Sequence, residues 1–245
     1  MTVGSVMESS KIPLQKWVLA FHLMCSSKKG ISALQLQREL ELGSYRTAWF
    51  MCHRIRHAMA GDESQEQLKG AVEADETYVG GKTKGGKRGR GANKKTPVMA
   101  LVARDGGIRV KPIERVNKKT LHGEILKNVS PQSIILTDDW SSYRGIGKHF
   151  EGGHETVNHS AKEYARIHPE SGLPINTNTV ESFFCLIKRG HYGVFHQLSK
   201  KHLHRYCDEF GFRWEYRKVS DAVRRNEAIR RAEGKRLMYR EPTDR

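Results

Sequence analysis

Between residues 11 and 60 the apolar side chains recur at helical spacing. Trp17, Phe21 and Met24 share one face, with Leu14 a turn earlier and Pro13 near the start, which predicts a first helix. Gly30 breaks the pattern, and Ser32 caps a second helix with apolar positions Ala33, Leu36 and Leu40. Glu41-Leu42-Gly43-Ser44 is a turn ending in another cap, and residues 45–56 form a third helix. Residues 61–70 are polar and unpatterned, a linker. From residue 71 the pattern becomes that of strands. Val72, Ala74, Thr77, Tyr78 and Val79 make a strand closed by Gly80-Gly81. Residues 97–104 are an apolar run of strand length, Asp105-Gly106-Gly107 is a hairpin turn, and 108–113 alternate. Residues 117–126 read as a helix capped by Asn117, with Leu121, Ile125 and Leu126 inward. Residues 131–138 form a central strand running into Asp138 and Asp139, and 154–159 a short last strand. A helix starts near Val180 with Val180, Phe183, Phe184 and Ile187 as its core stripe, and the chain is helical again over 198–217. Residues 224–245 are rich in Arg and unpatterned, a weakly folded tail or a helix that forms on a partner.

Composition narrows the function class. A chain of 245 residues with 37% hydrophobic content supports one large domain and one small one. The net charge of +16 calls for a polyanionic partner, nucleic acid first; membership of a nucleoprotein assembly is the plainer reading of the same charge. Much of the charge sits in one stretch, where Lys82, Lys84, Lys87, Arg88, Arg90, Lys94 and Lys95 alternate with Gly and no acid intervenes. Such a stretch cannot pack a core. It reads as a hairpin tip that grips phosphates, or as a solvated charge run. Cys25, Cys52, Cys185 and Cys207 make no C-x-x-C pair, so they are read as reduced, buried thiols of a cytosolic protein, not as a zinc ribbon. The apolar run 17–25 is broken by His22 and too short to cross a bilayer, and the N-terminus lacks the order of a signal peptide.

Two groups of residues carry candidate chemistry. The helix, Gly-containing turn and Arg-bearing helix over 32–56 are the parts of a helix-turn-helix, with Tyr45, Arg46 and Thr47 where base edges are met and Arg54 and Arg56 further along. The same three helices would also serve as a packing bundle. The second group is acidic. Glu73 and Asp75 share one face of their strand and Glu76 takes the other. Asp138 and Asp139 end a buried strand, and either is a possible N-cap for residues 140–143. His159 is a site residue or a polar contact. Glu181 and Lys188 are seven apart and project from one helix face. An Asp on a first strand, an Asp ending a later one and a Glu on a following helix follow the order of ribonuclease-H-like polynucleotidyl transferases. There, carboxylates hold two divalent cations, and oxygen ligands select Mg²⁺ or Mn²⁺.

The chain resembles the DDE transposases of bacterial insertion sequences, specifically the ISXO-like group, over about residues 3–218. The matching motifs are residues 72–81 (VEADETYVGG), 136–143 (LTDDWSSY), 157–160 (VNHS), 176–184 (NTNTVESFF) and 188–190 (KRG), with Tyr206, Glu209, Phe210, Phe212 and Arg213 further on. The resemblance implies Asp75, Asp138 and Glu181 as the catalytic, metal-binding acids, with Asp139 at a variable position. It implies Lys188, with Arg189 beside it, as a contact to DNA phosphate. Asn176 stands where His is usual and Phe184 where Trp is frequent. Family members carry a zinc ribbon ahead of the helix-turn-helix, and residues 1–7 resemble the segment just after it. The implied fold is α/β (α+β): a three-helix module over 1–60, a linker over 61–70, a ribonuclease-H-like mixed sheet flanked by helices over 71–218 and a basic tail over 219–245. The implied function is metal-dependent cleavage and joining of double-stranded DNA, at element ends and target, by a homo-oligomer in the bacterial cytoplasm at the nucleoid. The alternatives are a transposase-derived DNA-binding regulator and a ribonuclease. The latter needs recognition of a 2′-hydroxyl, for which no residue pattern speaks.

Overall fold

The structure is a computed structural model that describes residues 2–61, 66–81 and 95–239. The chain divides into two compact units, which part within two of its helices. One comprises Asp62–Lys188 and Gln197–Cys207; the other comprises Met1–Gly61, Arg189–His196 and Asp208–Arg245. Residues 189–196 and 208–218, which the resemblance groups with the sheet, fall in the second of these units.

The first unit is built on a five-stranded mixed sheet. Its strands are β1 (Ala71–Val79), β2 (Thr96–Ala103), β3 (Ile108–Pro112), β4 (Ile134–Asp138) and β5 (His154–Val157), in the order β3-β2-β1-β4-β5. β1, β2 and β3 are antiparallel neighbours, whereas β4 runs parallel to both β1 and β5. The hairpin between β2 and β3 turns at residues 105–107, where the Asp105 carboxylate accepts from the Gly107 N–H. Alternation along β1 puts Val72 and Ala74 on one face. There they pack with Met99, Leu101 and Ile135 against Leu121 and Ile125 of helix α4 (Lys118–Asn128). Asn117 caps α4 by accepting from the Thr120 N–H. Leu126, expected inward, is exposed: Leu121 and Ile125 are one turn apart and define the stripe, and Leu126 lies about 100° round from Ile125. A small hairpin, β6 (Arg166–Ile167) with β7 (Pro174–Ile175), leads into helix α5 (Asn178–Gly190). All four predicted stripe residues of α5 are buried.

The second unit is helical. Helices α1 (Leu14–Ser26), α2 (Ala33–Glu39) and α3 (Tyr45–Met59) enclose Trp17, Phe21, Met24, Leu36, Met51 and Ile55. Ser32 and Ser44 cap α2 and α3, accepting from the Gln35 and Thr47 N–H groups. The later part of helix α6 (Leu203–Glu215) adds Phe212 to this core, and α7 (Asp221–Arg230) adds Ala228. The segment expected to be a weakly folded tail is therefore an ordered helix as far as residue 230. Its buried positions are small, so its apolar period is faint in the sequence.

Arg54 and Arg56, expected along a DNA-facing helix, are 7% and 2% exposed. Arg56 Nε donates to the buried Glu209 carboxylate at 2.6 Å, and Arg213 Nη2 approaches the same carboxylate at 3.2 Å. Burying one cation at a time would be prohibitive; sharing a carboxylate makes these two tolerable.

Candidate active site

Glu73 of β1 pairs with Leu136 of the parallel β4. Two residues beyond that pair come Asp75 on one strand and Asp138, the last residue of β4, on the other. Period-two alternation puts both carboxylates on one face of the sheet. The Asp75 carboxyl is pushed up to about 8, by burial first and next by the charge of Glu76, with Asp138 and Glu181 adding to it. The Glu76 N–H, donating to Asp75 Oδ1 at 2.7 Å, opposes the shift. Glu76 itself lies on the other face, where Tyr143 Oη donates to it at 2.8 Å. Burial and that carboxylate raise the Tyr143 phenol well above its ordinary value. Asp139 is not among the leading charges on Asp75; its Oδ2 accepts from Asn158 Nδ2 at 3.4 Å. Neither aspartate caps the short turn Ser141–Tyr143, whose N-cap position is Trp140, with no side-chain cap bond.

Glu181 sits in the first turn of α5 and is half exposed. Thr177 Oγ1 donates to its Oε1 at 3.0 Å, and His159 Nε2 lies 3.5 Å from the same oxygen. His159 is thus a neighbour of Glu181. What holds this helix end in place is Glu73, which is 0% exposed. Its carboxylate accepts from the Thr179 N–H at 2.8 Å, the Thr179 hydroxyl at 2.8 Å and the Val180 N–H at 2.9 Å. These N–H groups belong to the first turn of α5, which has no acceptors within the helix, and the dipole there favours a negative charge. Arg104 Nε donates to Glu73 Oε1 at 3.1 Å, while its other nitrogens reach the carbonyls of Pro174 and Asn176. Glu73 and Arg104 together bolt residues 174–180 to β1 and β2. Thr177 and Thr179 lie within the motif 176–184 without an implied role there, and Arg104 carries no motif. The signal for Arg104 was a lone cation closing the apolar run of β2.

All the oxygens offered by Asp75, Asp138 and Glu181 are carboxylate oxygens, the donor set that suits Mg²⁺ or Mn²⁺. Their charges meet at Asp75, but among the described residues no three His, Cys, Asp or Glu side chains stand close enough to hold a cation as they are placed. On α5 an exposed face carries Glu181, Cys185 and Lys188, with Arg189 beside them. Cys185 departs from the expectation of buried thiols, which Cys25, Cys52 and Cys207 follow. Lys95 is half-buried just ahead of β2, while Lys82, Lys84, Lys87, Arg88, Arg90 and Lys94 lie outside the described residues. In the helical unit Tyr45 and Arg46 are exposed at the start of α3, and Thr47 is half-buried with its hydroxyl 2.9 Å from that of Ser44. No helix among the described residues is long and apolar enough to cross a membrane.

An uncharacterized protein in transposable element ISH50 of Halobacterium salinarum is 30% identical over 230 residues, 86% of this chain and 73% of that protein. Among solved structures, the Drosophila P element transposase strand transfer complex aligns with a TM-score of 0.32 and 9% identity. It covers 84% of this chain, which spans 57% of the other chain's length. Residues 67–215, from just ahead of β1 to the end of α6, match the ISXO2-like transposase domain. With both aspartates, Glu181 and the Glu73 anchor inside that match, the chain belongs to the ISXO2-like transposase family.

Proposed function

We propose that the chain is a DDE-type transposase that cleaves the ends of an insertion sequence and joins them to target DNA by metal-dependent phosphodiester transesterification. The observation that carries this reading is the Glu73–Leu136 pairing, which brings Asp75 and Asp138 to one face of the sheet and crowds negative charge at Asp75. Its carboxyl is raised to about 8 by burial and by Glu76, Asp138 and Glu181, and divalent cations relieve such crowding. Asp75, Asp138 and Glu181 are the residues that would hold Mg²⁺ or Mn²⁺, which supplies charge stabilisation at the attacking and leaving oxygens. Binding a cation would compete with Thr177 and His159 for the Glu181 carboxylate. Lys188 and Arg189, exposed on the Glu181 face of α5, are assigned to DNA phosphates, as are the cations of residues 82–95. The order β3-β2-β1-β4-β5, three antiparallel strands followed by two parallel ones, fits a ribonuclease-H-like sheet. Helices α2 and α3 with the turn at 40–44 fit a helix-turn-helix that offers Tyr45 and Arg46 to double-stranded DNA. Such an enzyme would act as a homo-oligomer on the two ends of its element in the bacterial cytoplasm.

The test is a strand-cleavage assay on element-end DNA with Mg²⁺. Asp75→Ala, Asp138→Ala and Glu181→Ala each abolish cleavage while DNA binding persists, and Asp139→Ala is far milder. Full cleavage by any of the first three variants, or an equal loss in Asp139→Ala, overturns the assignment.

A further inference from the structure

Arg54 is the buried cation of the helical unit that lacks the arrangement its neighbours enjoy. Arg56 and Arg213 share the Glu209 carboxylate. Among the described residues, Arg54 donates only to a backbone carbonyl, that of Glu8, and its Nε is buried with no hydrogen-bond partner. The Glu8 carboxylate is engaged elsewhere, by the Gly4 N–H at 2.8 Å and by Arg236 at 3.2 Å. The Arg54 guanidinium stands 5.3 Å from the centre of the Trp17 ring and 5.4 Å from that of Phe50. Burial first, then the Arg236 charge, holds its pKa below the ordinary arginine value. A cation at 7% exposure with no direct ion pair among the described residues, favoured only through space by the Glu8 charge, is costly unless an anion reaches it.

A way in exists. Arg54 lines a cavity of about 300 Å³ together with Lys11, Arg46, Trp17, Phe50 and Tyr239, and among the described residues no acid lines it. The volume lies at the lower end of ligand sites. Its wall is aromatic on one side, where Phe50 and Tyr239 meet edge to face at 5.4 Å and Arg46 lies over the Tyr239 ring. Three cations select a phosphate, and an aromatic wall selects a flat π-face beside it. The cavity also opens at the first turn of α3, among Arg46 and Thr47.

We propose that this cavity binds one nucleotide, its phosphate against Arg46, Lys11 and Arg54 and its base against Tyr239 and Phe50. The chemistry is the same for an unstacked nucleotide of a DNA strand and for a free one. The strand as source rests on the reading of the chain as a DNA-acting enzyme.

The test uses the full chain, ¹⁵N-labelled, with NMR signals of the Arg54 Nε–H and of the Lys11 and Thr47 amides followed. It is titrated separately with a short single-stranded oligodeoxynucleotide, with deoxyadenosine monophosphate and with inorganic phosphate. The oligonucleotide and the mononucleotide are expected to shift these signals saturably and to bind more tightly than phosphate. Tyr239→Ala, at a site 53% exposed and therefore dispensable for folding, lowers affinity for both on the order of tenfold. Arg46→Ala weakens all three ligands. Unmoved signals, equal affinity for phosphate and mononucleotide, or undiminished binding in Tyr239→Ala overturn the proposal. The two readings fail separately. Strand cleavage with unmoved Arg54 signals removes the pocket alone. Mononucleotide binding without any DNA binding upholds the pocket, identifies a free nucleotide as its ligand and counts against the transposase reading.

Discussion

Replacing Glu73 with Ala removes one carboxylate that serves four donors: two N–H groups and a hydroxyl at 2.8–2.9 Å on α5, and Arg104 Nε at 3.1 Å. A hydrogen bond to a charged group contributes about 1.5–3 kcal/mol, but four bonds to one carboxylate are not additive. The better guide is the loss of one partner from a buried ion pair, about 3–5 kcal/mol. Arg104 is 23% exposed and regains water once freed, which puts the expected loss near the low end, about 3–4 kcal/mol. Glu73→Gln keeps an acceptor oxygen and the volume, so it should recover roughly half of that. Urea unfolding of the full chain reads both values. The same pair of variants should order cleavage as wild type, Gln, Ala, because the first turn of α5 carries Glu181. A Glu73→Ala chain within about 1 kcal/mol of wild type would refute the reasoning, since the N–H groups would then have found other acceptors.

Glu209→Gln removes the carboxylate charge that the buried Arg56 and Arg213 share and should cost about 3–5 kcal/mol in the same assay. Gly190→Ala would place a Cβ 2.3 Å from Phe210 Cζ and 2.9 Å from the Lys29 carbonyl oxygen. The carbonyl has little room to yield, so destabilisation of about 1–3 kcal/mol is expected. Glu227 is held at about 2, below its ordinary 4.5, by hydrogen bonds from Arg230 first, then Arg231. Its stabilising contribution is therefore complete above 4.5 and is lost as pH falls through about 2. Water reaches these pairs, and screening limits the effect to about 1–2 kcal/mol. Acid titration of Glu227→Gln should lack this part of the wild-type decline.

Local features were the legible part of this chain. The period of α5 exposes its buried stripe, and Ser32, Ser44 and Asn117 cap the helices they precede, because both depend on residues within a turn of one another. Alternation also separates Glu73 and Asp75 from Glu76. What the alternation cannot convey is that Glu73 meets Thr179 and Val180, more than a hundred residues on. Arg56 misled for the same reason. A basic residue on a helix beside a Gly-containing turn looks DNA-facing, and only the fold brings Glu209 to Arg56. The order of the three acids pointed to one site. The reason for the spacing of Asp75 and Asp138 emerges only from the Glu73–Leu136 pairing, since register between distant strands leaves no local trace.

Glu73 and Asp75 occupy one strand, two residues apart, a step of about 6.5–7 Å fixed by covalent geometry. One of them locates the helix that carries Glu181, and the other is itself an acid of the cluster. β1 is thus the datum from which the positions of both acids are measured. Any shift of that strand displaces the reference and everything dimensioned from it together, so error does not accumulate across the hundred residues between them. The intervening segments can lengthen, shorten or change sequence without the tolerance between the acids being renegotiated.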